Sequence, residues 1–313
     1  MGDTKLRTHT HTRTYSTRSH THNSLLRVVR QNTKPLTVLK GMANTCCYFD
    51  NIVIHSKDWR THVGDLRGVL QRLREHGLTA GPAKCFLGFD SINYLGYTLG
   101  QNAIRPPPER VSAIRKITLP TNKSQLRSFL GSVNFYRKFI PNVSFFTGPL
   151  SDMLKKNSPN VLPWTPALED KFFHLRDALS EDPVLVLPNR TNPFVLRTDA
   201  SNDGVGAVLL QEVENVLRPV SYASRKLLDR ERKYSAIEKE CLAVVWALQH
   251  FAFYLKGKEF ILQTDHQPLT YLRNMQNNNG RLMRWTLTLQ SYEFTIQYIP
   301  GKENVLADLL SRP

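Results

Sequence analysis

Residues 192–313 predict an α/β domain built on a five-stranded mixed sheet, and three observations carry that expectation. Three strand-like runs, 193–199, Gly206–Glu212 and Arg218–Ser224, follow one another with turn residues between them. A helix pattern then covers about Ser235 to Lys256, with Ile237, Cys241, Val244, Val245, Leu248, Phe251 and Leu255 on one stripe and Gly257 at its end. After it, Phe260-Ile261-Leu262-Gln263-Thr264-Asp265 repeats the form of Phe194-Val195-Leu196-Arg197-Thr198-Asp199: apolar residues, a polar one, then Thr-Asp. A helix joining two strands of one sheet makes a crossover, right-handed in nearly every case, so the two runs are expected to lie parallel and adjacent. Asp199 and Asp265 then stand side by side at the carboxyl edge, where open α/β sheets usually take their ligands.

The rest of the chain is read in order. Residues 1–40 are rich in Thr, His, Arg and Ser, with eight Lys or Arg against Asp3 alone. Residues 1–44 are expected to be a disordered basic tail, the alternating Thr8-His9-Thr10-His11-Thr12 leaving a metal-binding tract as the alternative. Ordered sequence is expected from Thr45, with two short strands meeting in a turn at Asp50-Asn51. A helix from Trp59 to His76 carries Val63, Leu66, Val69, Leu70 and Leu73 at helical spacing and stops at Gly77. Asn93–Leu99 reads as one strand. Pro106-Pro107-Pro108 opens a helix over Glu109–Lys116, and Ser124 is expected to cap another that runs to Ile140, before Pro141. Residues 156–191 read as a connector, punctuated by Pro163, Pro166, Pro183 and Pro188, with a helical piece at Ala167–Ser180. Beyond Asp265 come helical segments at Gln267–Met275 and Arg281–Gln290, a strand at Phe294–Ile299 and a last helix from Asn304.

Bulk properties narrow the class. The 313 residues suffice for two or three domains. No run of eighteen apolar residues occurs and the N-terminus lacks an apolar signal core, so neither a membrane span nor secretion is expected. A net charge of +16 favours a phosphate-rich partner, although a merely soluble basic protein fits that number as well. Cys46, Cys47, Cys85 and Cys241 show no Cys-x-x-Cys or zinc-finger spacing, which reads as reduced thiols in an intracellular protein.

Four acids stand out by position. Asp199 and Asp265 end the paired strands, Glu240 shares the stripe of the crossover helix with Val244 and Leu248, and Asp308 lies among Val305, Leu306, Leu309 and Leu310. Gathering four carboxylates is costly without compensating charge. Two divalent cations cancel it, and hard oxygen ligands suit Mg²⁺ or Mn²⁺. Two such ions about 3.5–4 Å apart clamp the oxygens of an in-line phosphodiester displacement. Singly, each acid has a plainer role: a turn former, an N-cap, a solvated helix residue, a surface acid.

The joint pattern resembles the ribonuclease H domain of gypsy-type LTR retrotransposon Pol polyproteins. The matching stretches are Thr198-Asp199-Ala200-Ser201, Gly204–Leu209, Tyr234–Ala243, Thr264-Asp265-His266 and Pro300–Asp308. The resemblance implies a ribonuclease H-like fold in which Asp199, Glu240, Asp265 and Asp308 hold two Mg²⁺ (Mn²⁺ as substitute) and cleave the RNA strand of an RNA–DNA hybrid. Glu238 competes for the glutamate role; the resemblance favours Glu240, because the family's catalytic glutamate directly precedes an apolar run, here Leu242–Leu248. Arg281 and Arg284, beside Trp285, are candidates for contacting the hybrid, a buried Trp285 with solvated arginines being the alternative.

Upstream, Tyr48-Phe49-Asp50-Asn51 resembles the Tyr-x-Asp-Asp turn of reverse transcriptases. The likeness extends over 45–155 through His76-Gly77-Leu78, the primer-grip-like Tyr94-Leu95-Gly96-Tyr97 and the thumb-like Phe129–Pro141. It implies an α+β palm and thumb fragment, with Tyr94 and Gly96 near nucleic acid. Asn51 stands where the family has a second Asp, and nothing before it resembles fingers or the palm strand bearing the other metal-binding Asp. RNA-directed DNA polymerase activity is therefore expected to be lost. Two other readings stay open: a catalytically inactive nucleic-acid-binding Pol remnant, and an assembly with a second copy or with the missing polymerase half.

Overall fold

The computed structural model describes residues 22–29, 35–100, 102–179, 183–189, 191–265 and 280–311. The His-rich run at 8–12 and the helix expected at Gln267–Met275 lie outside these residues. The chain forms two compact units that divide between Tyr94 and Leu95. Among the described residues, no helix is long and apolar enough to cross a membrane.

The first unit corrects the expected start of order. Strand β1 (His22–Val29) is the middle of a sheet, not part of a tail. A short helix α1 (Pro35–Val38) follows, then the hairpin β2 (Thr45–Tyr48) and β3 (Asn51–Ser56). The turn falls on Phe49-Asp50, one residue earlier than expected, because Tyr48 pairs with Asn51 and Phe49 takes a left-handed φ of 51°. β1 pairs antiparallel with β3, Leu25 opposite Val53 and Arg27 opposite Asn51. Helix α2 (Trp59–Glu75) begins where Asp58 accepts from the Thr61 N–H at 2.9 Å. It buries His62, Val69 and Leu73 and leaves Val63 and Leu70 exposed, so the inward stripe is offset from the apolar residues alone. Strands β4 (Thr79–Ala80) and β5 (Phe86–Phe89) pair with β1, and β6 (Ser91–Tyr94) closes the unit.

The second unit opens with β7 (Tyr97–Gly100) and β8 (Ala103–Arg105). The single strand expected over 93–99 is interrupted at Leu95-Gly96, both at positive φ. Helices α3 (Pro108–Arg115), α4 (Lys123–Phe135), α5 (Val143–Asp152) and α6 (Pro166–Ala178) follow, and β9 (Leu185–Val186) returns to pair with β8. The cap of α4 is Asn122, not Ser124: its Oδ1 accepts from the Gln125 N–H at 3.0 Å. α4 stops at Phe135, short of the expected Ile140, with a 3₁₀ turn at Arg137–Phe139 beyond it. The expected connector is part of a core. Phe172, Leu175 and Leu179, spaced three and four apart, pack with Leu126, Phe129 and Leu150. Burying that stripe outweighs the proline punctuation around it.

The third region has the expected mixed sheet. Strands β10 (Phe194–Ala200), β11 (Gly204–Val213) and β12 (Val216–Lys226) form an antiparallel meander. A turn of helix, α7 (Asp229–Arg232), leads to α8 (Ala236–His250) and α9 (Ala252–Leu255), so the long helix breaks at Phe251, whose backbone leaves helical angles. β13 (Glu259–Thr264) pairs parallel with β10; after α10 (Gly280–Gln290), β14 (Glu293–Tyr298) pairs parallel with β13. The order is β12-β11-β10-β13-β14. α8 covers one face, with Val244 and Leu248 against Phe194, Leu196 and Leu262. The last helix, α11 (Val305–Ser311), brings Leu310 against Val195, Val208 and Leu210 on the other.

Candidate active site

The parallel pairing does what the repeated Thr-Asp ending requires. Arg197 lies opposite Gln263, and two residues further along come Asp199, near the end of β10, and Asp265, just past β13. Asp199 is only 4% exposed, whereas Asp265 is half-buried. Asn304, fully buried, ties the two strand ends: its Nδ2 donates to the Thr198 carbonyl and to Asp265 Oδ1, each at 3.2 Å. Asp265 also sits tight against Gly301, where an added Cβ would stand 3.2 Å from its Oδ2.

α11 supplies the next acid. Its Asp308 N–H donates to the Asn304 carbonyl at 3.0 Å, so the residue that ties the strands also starts the helix. One turn on, the Ser311 hydroxyl donates to Asp199 Oδ2. Gly206, opposite Asp199 in β11, permits this approach: a Cβ there would lie 2.6 Å from Leu310 C and 2.7 Å from Ser311 N.

α8 brings the fourth acid and separates the two glutamates. Glu238 forms a capping box with Ser235: its Oε2 accepts from the Ser235 N–H at 3.0 Å, and Ser235 Oγ accepts from the Glu238 N–H at 3.3 Å. Glu240 is 9% exposed on the face that packs against the sheet. Next to it, Lys239 Nζ donates to Asn202 Oδ1 at 2.8 Å, tying the start of α8 to the β10–β11 turn.

The donors suit a hard divalent cation: carboxylates on two strand ends and two helices, two of them almost wholly buried. Among the described residues, however, no three His, Cys, Asp or Glu side chains are gathered closely enough to hold a metal ion. The structure thus brings the four acids to one end of one sheet without closing them on a point.

The other candidate residues fall elsewhere. Tyr48 and Asp50 are exposed and Asn51 is half-buried in the β2–β3 hairpin. The strand that pairs with β3, β1, contains no acidic residue. Tyr94 is half-buried, and its phenol is raised above the ordinary value by burial and then by the nearby Cys46, Cys47 and Tyr48. Gly96 is at φ 82°, its carbonyl accepts from Tyr136 Oη at 3.0 Å, and it lines a groove of about 440 Å³ with Arg110, Ser128 and Gly131. Arg284 is exposed; the Arg281 side chain lies outside the described ones. Trp285 is half-buried against the core and 6.2 Å from the Tyr234 ring, as the plainer alternative has it. Sequence reasoning gave no role to Asn304, Ser311 or Gly206, although Asn304 and Gly206 lie inside the matching stretches.

Comparison with known proteins finds relatives for both ends of the chain. Residues 19–99 match the reverse transcriptase (RNA-dependent DNA polymerase) family and residues 189–292 the RNase H-like domain found in reverse transcriptase. The first match begins well before Thr45, in keeping with β1. The chain is 40% identical to the retrovirus-related Pol polyprotein from transposon 297 of Drosophila melanogaster, over 88% of this chain and 26% of that protein. It is 37% identical to the transposon Tf2-7 polyprotein of Schizosaccharomyces pombe, over 86% of this chain and 20% of that one. The chain therefore spans about a quarter or less of the curated relatives it matches. In fold it is similar to the foamy viral protease-reverse transcriptase solved with an RNA/DNA hybrid, with a TM-score of 0.77 and 21% identity over 93% of this chain and 45% of that one. A reverse-transcriptase segment and an RNase H-like domain are thus joined in one chain related to transposon Pol polyproteins.

Proposed function

We propose that residues 192–313 act as the ribonuclease H of a gypsy-type LTR retrotransposon Pol protein, cutting the RNA strand of RNA–DNA hybrids. One observation carries this reading: Asp199 and Asp265 end adjacent parallel strands that Asn304 ties together, with Asp308 on the helix that Asn304 starts. Asp199, Glu240, Asp265 and Asp308 would hold two Mg²⁺, with Mn²⁺ as substitute. Bound there, the ions would activate water and offset the charge that develops on the phosphate. The protein's own share is placement. Ser311 orients Asp199, Asn304 orients Asp265, and the α8 backbone carries Glu240 inward. The net charge of +16 supplies attraction for the hybrid backbone, to which exposed Arg284 contributes. Free thiols at Cys46, Cys47, Cys85 and Cys241 suit a reducing compartment, the cytoplasm or the element's own particle.

The test is cleavage of a labelled RNA–DNA hybrid by the purified chain, with and without Mg²⁺, beside Asp265→Asn. Metal-dependent loss of the RNA strand alone, abolished by the substitution, is the expected outcome. A second reading, a nucleic-acid-binding remnant without turnover, is favoured by Asn51, which stands where the resembled Tyr-x-Asp-Asp turn has a second Asp. Salt-sensitive hybrid binding by a folded chain that never cuts would establish it instead.

The same chain is proposed not to extend a primer by itself. Asn51 offers no charge beside Asp50, and β1, which places Arg27 opposite Asn51, contains no carboxylate. Products from a primer-extension assay with Mg²⁺ or Mn²⁺ would overturn this.

A further inference from the structure

We propose that Ser311 is a positioning residue for Asp199, fixing one oxygen of that carboxylate so that its other oxygen serves the cation. The inference rests on the reading of Asp199 as a metal ligand.

Ser311 closes α11 and is 3% exposed. Its hydroxyl has one proton and two acceptors in reach, Asp199 Oδ2 and the Asp308 carbonyl at 3.1 Å. The carboxylate is the stronger acceptor, because a hydrogen bond to an ionised group is shorter and stronger than one to a neutral carbonyl. Ser311 is held at its other end as well: its carbonyl accepts from Ser201 Oγ at 2.6 Å. Ser201 Oγ in turn accepts from the N–H groups of Asp203 and Gly204, both at 3.1 Å, so the β10–β11 turn and the end of α11 share one serine. Backbone packing removes the remaining slack. A Cβ on Gly204 would lie 3.1 Å from the Ser311 carbonyl oxygen, and one on Gly206 would overlap Leu310 and Ser311. Asp199 is therefore gripped by a hydroxyl whose own position is fixed from two sides.

Such outer partners orient a ligand and set its basicity, and losing one typically costs about 10–100-fold in metal affinity or activity. The experiment compares the full chain with Ser311→Ala, Ser311→Cys and Ser311→Thr. Mn²⁺ binding is measured by calorimetry without substrate, and hybrid cleavage is followed as a function of Mg²⁺ concentration. Ser311→Ala should weaken Mn²⁺ binding about tenfold or more and raise the Mg²⁺ needed for half-maximal cutting, with far less effect at saturating Mg²⁺. Ser311→Thr, which keeps the hydroxyl, should restore affinity. A purely structural role would lower activity equally at all metal concentrations and leave Mn²⁺ affinity in the folded fraction unchanged; that result overturns the proposal. Should Ser311→Ala fail to fold, Ser311→Cys carries the test, since a thiol keeps the shape but is a weak donor. If the wild type binds Mn²⁺ but does not cut, the nuclease reading falls and the Ser311 assignment is decided by Mn²⁺ affinity alone. If it binds no Mn²⁺, the assignment falls too.

Discussion

Gly206→Ala tests whether α11 is truly pressed onto β11. In a strand, replacing Gly by Ala ordinarily stabilises by about 0.5–1 kcal/mol, because glycine loses more backbone freedom on folding. Here the new Cβ would stand 2.5 Å from Leu310 Cβ, 2.6 Å from Leu310 C and 2.7 Å from Ser311 N. Carbon atoms in contact prefer about 3.5–4 Å, so roughly 1 Å of movement is required. Two of the three atoms are backbone, and the helix must move as a body, taking Asp308 and Ser311 with it. Overpacking of this kind costs about 1–3 kcal/mol, which exceeds the entropic gain. A net loss of about 1–2 kcal/mol is expected in urea unfolding, with Mn²⁺ affinity falling as Ser311 leaves Asp199. Gly148→Ala, inside α5, is the control. Its nearest non-neighbouring atoms belong to the flexible end of Lys226, which can swing away, so no helix has to move and the substitution should cost less than Gly206→Ala, although Pro149 beside it removes the usual helical gain. If Gly206→Ala proves as stable as Gly148→Ala and keeps its metal affinity, the close approach of α11 to β11 is refuted.

Three further outcomes are expected. Glu231 is pushed up by burial, but the Arg225 hydrogen bonds at 2.6 and 3.2 Å, the Leu228 N–H and the charges of Arg225 and Arg230 outweigh this and hold its carboxyl below the ordinary range. Its contribution is thus present above the unfolded value near 4.5 and disappears as pH falls through the lowered folded one; the melting gap between wild type and Glu231→Gln should close on acidification. Burial lowers the Lys138 amine to about 8, 4.0 Å above the Tyr97 ring, so folding disfavours its charge. Stability should rise between about pH 8 and the ordinary 10.5, and Lys138→Met should flatten that rise in a pH series of urea midpoints. In the first unit, the Ser56 hydroxyl gives its one proton to Asp65 Oδ2 at 2.7 Å and so accepts from His62 Nδ1–H at 3.2 Å. In that tautomer His62 Nε2 accepts from the Ser24 hydroxyl at 2.6 Å, and Ser24 Oγ in turn accepts from the Gly88 N–H at 3.0 Å. His62→Leu should cost about 2–3 kcal/mol by leaving buried hydroxyls unsatisfied, and a neutral urea-denaturation result would contradict this chain.

What the sequence made legible follows the range of the forces involved. β10, β13 and α8 announce themselves because each buries a long apolar face whose period is local. β1 escaped because Ser24-Leu25-Leu26-Arg27-Val28-Val29 is short, follows a Thr/His/Arg-rich stretch, and becomes a strand by pairing with β3 more than twenty residues away. The Leu95-Gly96 turn escaped because leucine at φ 50° has no sequence signal of its own. The place of α6 in a core escaped for the opposite reason: its helical period is legible, but four prolines nearby argued more loudly for a connector.

The site divides in the same way. The strand-end acids were readable because Thr-Asp closes two apolar runs, whereas Ser311 meets Asp199 across a separation of 112 residues and only the folded chain reveals it. The different surroundings of the two glutamates were also legible. Ser235-x-x-Glu238 is the capping-box pattern, and a carboxylate that accepts from the Ser235 N–H to finish a helix start is committed there. Glu240, two residues on, is turned by about 200° around a helix of 3.6 residues per turn. That rotation takes it from the capped start of α8 to the buried face against the sheet, the side on which the proposed cation site lies.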